Sequence, residues 1–298
     1  MRGNVYHWQY IGTLTIRTLL SETVFLNMVV GQELSGRRRL PEKMFTASES
    51  FSSFRQQSLR RQSNLMKGID LVSVSLYYLL GLGYTFLLAW GLFQSKKAGF
   101  FDYTNVLLLV IVGLIYDNVV IALGSSIGEG ALLQQVSYAR YWIHAFFTPT
   151  LILFAWSLSW KLQLPWAHRM YGKAFSFLLT IAVILYELLV TLRGLELEPN
   201  WENGVLTYES TAAEGIPVMV VVVTLFIAMT GVFLIKKFRF PWLLIGTAIM
   251  IGGGIAGAVF PDFPMMNGLE FIFIVSLLIT RQFVIQQAAL SSSTFSSS

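Results

Sequence analysis

The chain alternates long apolar runs with short polar breaks, and the runs have the length of membrane crossings. Hydrocarbon offers no partners to backbone N–H and C=O groups, so a span is a helix of roughly 20 apolar residues across a core of ~30 Å. Seven segments qualify: 71–93, 103–123, 138–160, 174–192, 217–235, 242–260 and 269–284. Breakers separate them at Gly99, the 124–130 stretch, Pro165, Pro199 with Asn203-Gly204, Pro241, and Pro261 with Pro264. The pattern predicts an all-α, polytopic integral membrane protein, a seven-transmembrane-helix bundle over residues 67–287.

Composition agrees with the pattern. Hydrophobic residues make up 55% and charged residues 12%, against about 25% charged in soluble domains, and mean hydropathy is +0.62. A disordered chain, a disulfide-stapled secreted module and a nucleic-acid binder are excluded. The partner expected is membrane lipid, and the oligomeric state is left open. The net charge of +5 is local: residues 1–66 hold nine Lys/Arg and four Asp/Glu, the remainder twelve of each.

Placement of the cations sets the expected orientation. Lys96, Lys97, Lys161, Arg169, Lys173, Lys236, Lys237, Arg239 and Arg281 fall on one side. Glu129, Glu196, Glu198, Glu202, Glu209, Glu214 and Asp262 fall on the other. This reads as N-out and C-in. The basic 1–66 segment conflicts, because Arg37-Arg38-Arg39 and Arg60-Arg61 resist translocation. An eighth span over 13–30 would hold Arg17, Glu22 and Asn27, and one arginine at mid-bilayer costs ~2.5–3.5 kcal/mol. A targeting extension lacks a signal-peptide order. The favoured reading is a start at Met66, which makes 1–66 a disordered or non-native extension. The Ser-rich 288–298 is expected to be a disordered tail.

Ionisable side chains inside spans are costly, and each is therefore a functional candidate. Asp117 lies about two-thirds along the second span, toward the outside. Arg140 and His144 fall in the first turns of the third span and form with Thr148 an i, i+4, i+8 stripe. Glu187 falls in the outer third of the fourth span, and Glu270 opens the seventh. A polar pocket in the extracytoplasmic half follows. Its catalytic candidates are His144, Asp117 and Glu187; its substrate-binding candidates are Arg140, Thr148, Tyr116, Asn118, Tyr186 and Glu270. His144 is the proton shuttle of the set, and Arg140 the binder of an anionic head group. Pro149 marks a kink that widens the room beneath His144. The alternative is a polar plug that locks helices without chemistry.

Other features have simpler readings. Asp102 and His168 read as solvated boundary residues, and Trp90, Trp142, Trp156, Trp160, Trp166 and Trp242 as interfacial anchors. Small residues at four-residue spacing, among them Gly253 and Gly257, read as internal helix packing. Nucleotide-loop, nucleophile-elbow and zinc-helix motifs are absent. With His7, His144 and His168 as its only histidines and no cysteine, the chain is expected to hold no metal and no cofactor.

Two resemblances arise. Ala139-Arg140-Tyr141, Phe147-Thr148-Pro149 and Leu151-Ile152-Leu153 resemble the third helix of microbial rhodopsins. That family's retinal lysine belongs midway along the seventh helix, and 269–284 contains no lysine, which excludes a Schiff-base chromophore there. Further, Leu114-Ile115-Tyr116-Asp117-Asn118, the run from His144 to Leu151, and that from Trp201 to Tyr208 resemble uncharacterised seven-span proteins of Gram-positive bacteria over 66–287. The resemblance implies a multi-pass protein of the bacterial plasma membrane, and some members carry a phospholipid-phosphatase label, which implies a lipid-directed hydrolase. The Pro-Ser-Gly-His motif of lipid-phosphate phosphatases is absent. Three functional readings stand: that hydrolase, a small-solute or proton-coupled transporter or sensor, and a structural membrane subunit without a catalytic site.

Overall fold

The computed structural model describes residues 71–202, 204–211, 217–259 and 265–296, all within the compact unit Met66–Ser298. The extension expected over 1–66 lies outside the described residues.

Helix α1 covers Leu71–Ala98. A tight 3-10 turn, Tyr103–Asn105, leads into α2, Val106–Ile127. The Asp102 carboxylate starts that turn by accepting from the Thr104 N–H at 2.8 Å. Gly128 and Gly130, both at positive φ, reverse the chain into α3, Ala131–Phe147. Pro149 cannot supply the next helical N–H, and the backbone tightens to a 3-10 turn over Thr148–Thr150 before α4, Leu151–Lys161. The short α5, Pro165–His168, precedes α6, Met170–Tyr186, which ends in a π turn, Glu187–Thr191. Strands β1, Leu197–Glu202, and β2, Val205–Ser210, pair antiparallel with Glu202 opposite Val205. The last helices are α7, Val218–Phe238, α8, Trp242–Val259, and α9, Met265–Ser296.

The protein is thus a mostly helical, multi-pass membrane protein. Six helices are long and apolar enough to cross a membrane: Leu71–Ala98, Tyr103–Ile127, Ala131–Lys161, Met170–Thr191, Val218–Phe238 and Met266–Leu290. The sixth segment marked by the sequence gives a shorter apolar helix, Trp242–Ala256. It packs along α9: a methyl group on Gly246 would meet Ser276 Oγ at 2.0 Å, and one on Gly253 would meet Leu269 Cδ1 at 2.0 Å. Close approach of this kind is what small residues permit between helices in lipid. Gly252 and Gly254 instead face open space.

The mostly helical structure agrees with the all-α reading, to which β1 and β2 add a short hairpin where the sequence reading has a turn. Three expectations are corrected. The third crossing starts at Ala131, seven residues early, because Gln134 and Gln135, though polar, are good helix formers. Residues 288–296, expected as a disordered tail, continue α9. Trp156 is no interfacial anchor: it is buried, and its indole Nε1 donates to the Ala167 carbonyl at 3.1 Å.

Candidate functional site

The site forms where α2 and α3 run unusually close. A methyl group on Gly113 would meet Ile143 Cγ2 at 2.7 Å, and the Tyr116 hydroxyl donates to the Val136 carbonyl at 2.9 Å. Asp117, one turn beyond Gly113, is thereby brought to Arg140, whose Nε donates to Asp117 Oδ1 at 2.6 Å. His144, one turn along α3, places Nε2 3.7 Å from the same oxygen. Thr148 follows on the same face, its Oγ1 3.5 Å from His144 Nδ1. Arg140, His144 and Thr148 thus share one face, and one carboxylate oxygen lies beside both the Arg140 guanidinium and the His144 imidazole.

Burial is graded across the group. Relative side-chain exposure is 8% for Asp117, 16% for Arg140 and 32% for His144. The ion pair is shielded, while about a third of the imidazole side chain is open. Glu270 on α9 interacts with His144, Asp117 and Arg140 through charge alone; among the described residues no hydrogen bond or ion pair joins it to them. Asn118 is fully buried: its amide donates to the Leu114 carbonyl at 2.9 Å, and its Oδ1 accepts from Asn267 at 3.5 Å. The Tyr84 hydroxyl of α1 donates to the Asn267 carbonyl at 3.5 Å. Four helices, α1, α2, α3 and α9, thus meet around these polar groups.

The hairpin closes one end of this region. Val120 and Leu133 pack with Leu197, Leu206 and Tyr208, and Val120 is ~4.5 Å along α2 from Asp117. Three tyrosines fasten it: Tyr208 accepts from the Gly130 N–H, Tyr138 donates to the Leu195 carbonyl, and Tyr141 accepts from the Ser210 N–H. A methyl group on Gly124 would stand 1.8 Å from the Leu206 carbonyl oxygen. The strand backbone rests directly on the helix there.

Two sequence candidates stand apart. Glu187 is buried at the π turn, and among the described residues no hydrogen bond or ion pair joins it to Asp117, Arg140 or His144. Tyr186 is exposed, 38% of its surface being open. Depth also changes: α2 ends at Ile127 rather than near 123, which sets Asp117 about midway along it. Among the described residues no group of three His, Cys, Asp or Glu could hold a metal ion.

A second polar constellation at the other end of α2 escapes the sequence reading. Arg281, which the sequence reading counts only among the cations of one side, is fully buried. Its Nε donates to Thr104 Oγ1 at 3.0 Å, Nη1 to the Gly91 carbonyl at 2.9 Å, and Nη2 to Ser95 Oγ at 3.0 Å and to Asn105 Oδ1. Asp102, expected to be solvated, forms an ion pair with Lys161 at 2.5 Å. No single residue type signals this socket; its members meet only when α1, α2 and α9 pack.

The fold and this buried polar group define a multi-pass membrane protein with ionisable residues inside the bundle. Against protein-family models, curated proteins and solved structures, the chain gives no match.

Proposed function

We propose that this chain is a proton-responsive membrane protein, a transporter or sensor, in which His144 exchanges a proton between Asp117 and Glu270. The observation that carries the reading is the sharing of Asp117 Oδ1 between Arg140 and His144. Arg140 alone neutralises Asp117. A proton arriving on the imidazole then adds a charge that Glu270 can balance. Imidazole is the side chain that changes charge nearest neutral pH, and ionisable groups inside spans are the usual parts of proton relays. The proposal includes seven crossings, N-out and C-in, in a bacterial plasma membrane, as the cation placement and the family resemblance imply.

A second reading is a lipid-directed hydrolase. It is favoured by the partly open His144 beside the Arg140 guanidinium, a pairing suited to an anionic head group. One experiment separates the two. Protein in liposomes filled with a pH-sensitive dye is given a pH step, and phosphate release from phosphatidic acid is measured in parallel. Proton flux reduced about tenfold or more in His144→Gln, with the variant still folded by gel filtration, supports the relay. Phosphate release that His144→Gln abolishes supports the hydrolase. Neither activity in the wild type sinks both readings and leaves the polar plug.

A further inference from the structure

A cavity of about 350 Å³ opens at the end of the bundle opposite the hairpin, between the start of α2, the end of α4 and the start of α6. The 22 residues of α2 separate it from the hairpin by ~33 Å, the thickness of a bilayer core. Its two halves differ in chemistry. One is aromatic: Trp156 makes edge contacts with Tyr103 and Phe177 at 5.7 and 6.0 Å. Trp160 stacks on His168 at 5.2 Å. The other half is cationic, formed by Arg169 and Lys173.

Among the described residues no carboxylate balances this charge. Asp102, the one carboxylate in the lining, is already engaged: its Oδ2 meets Lys161 at 2.5 Å and its Oδ1 accepts from the Thr104 N–H. Among the described residues the side chains of Arg169 and Lys173 have only ring contacts, over Tyr171 at 5.6 Å and Phe177 at 6.0 Å. Among the described residues no carboxylate pairs with either. Apolar side chains flank the opening, with Phe101, Met170 and Tyr171 exposed. An occupant must therefore present an anion to Arg169 and Lys173 and apolar surface to the aromatic side.

We propose that this cavity binds the phosphate group of an anionic phospholipid, held by Arg169 and Lys173, with the start of its tail against Trp156 and Trp160. A soluble phosphate shares the anionic chemistry but leaves the aromatic half unused. Basic pockets between membrane helices are a recurrent means of holding phospholipid head groups.

The test uses the full chain in detergent micelles, with melting temperature read while phosphatidylglycerol, phosphatidylcholine or inorganic phosphate is added. Phosphatidylglycerol is expected to raise Tm by about 3 °C or more in the wild type, through binding to the folded state. The increase is expected to vanish in Arg169→Gln/Lys173→Gln and to persist in Lys96→Gln/Lys236→Gln, which removes the same charge from other exposed basic positions. All four side chains are exposed, and these variants are expected to fold. An undiminished increase in Arg169→Gln/Lys173→Gln overturns the proposal. So does an equal increase with phosphatidylcholine, or with inorganic phosphate, which would assign the site to a soluble anion.

Discussion

Asp102 shows how one residue can act against its own burial. Removal from water would by itself raise its carboxyl pKa, yet hydrogen bonds from Lys161 and Thr104 and the lysine charge hold it below the usual carboxylate range. A carboxyl depressed in the fold contributes stability above its unfolded pKa of about 3.9 and loses it as pH falls through the folded value. The Tm difference between wild type and Asp102→Asn is therefore expected to be steady from pH 7 to about 5 and to shrink below about 4. A difference unchanged down to pH 3 would refute the assignment. At this scale the sequence was legible where cost alone identifies a residue: Asp117, Arg140, His144 and Glu270 stood out because charge is rare in spans, and the structure brings them together. Glu187 satisfied the same criterion but lies apart from that group. Asn267 was missed although it lies three residues from Glu270 on one helical face, because a neutral amide carries no comparable cost.

The hairpin is the element that the sequence reading missed, and its signal was present. Asn203-Gly204 stands between two short runs in the sequence, a hairpin signal, and Gly204 adopts φ of 74° beside the paired Glu202 and Val205. Reading the pair only as a helix breaker hid the strands, because a window tuned to 20 apolar residues passes over six-residue segments. Boundaries suffered similarly: polar glutamines masked the first turns of α3, while the proline at 149 did mark a real change of helix type. The hairpin's seat on Gly124 yields a direct prediction. Gly124→Ala places a methyl group against the Leu206 carbonyl, and backbone cannot yield as a side chain can. Proteolysis within 197–210 is expected to accelerate several-fold, with a loss of about 1–3 kcal/mol in stability. Cleavage at the wild-type rate would show that the strands float free of α2.

At the scale of the whole molecule, the arrangement of α8 against α9 bears on the number of crossings. As α8 advances from Gly246 to Gly253, its partner on α9 retreats from Ser276 to Leu269. The two helices are therefore antiparallel neighbours, and α9 is one of the helices able to span. With 18 residues, α8 measures ~27 Å, close to a bilayer core. Composition could not decide this, because a short apolar helix looks the same whether it crosses or lies buried. The absence of cysteine makes the question directly measurable. Single cysteines at Glu198, Lys97, Lys236 and Ser292 are to be challenged with a membrane-impermeant maleimide. Seven crossings with the hairpin outside require that Glu198→Cys react in intact cells and that the other three react only after lysis. If α8 fails to cross, α9 must run the other way and Ser292→Cys becomes reactive in intact cells, while Lys97→Cys and Lys236→Cys stay protected. The tail alone therefore separates six crossings from seven, and Glu198 against Lys97 fixes the orientation independently of that count.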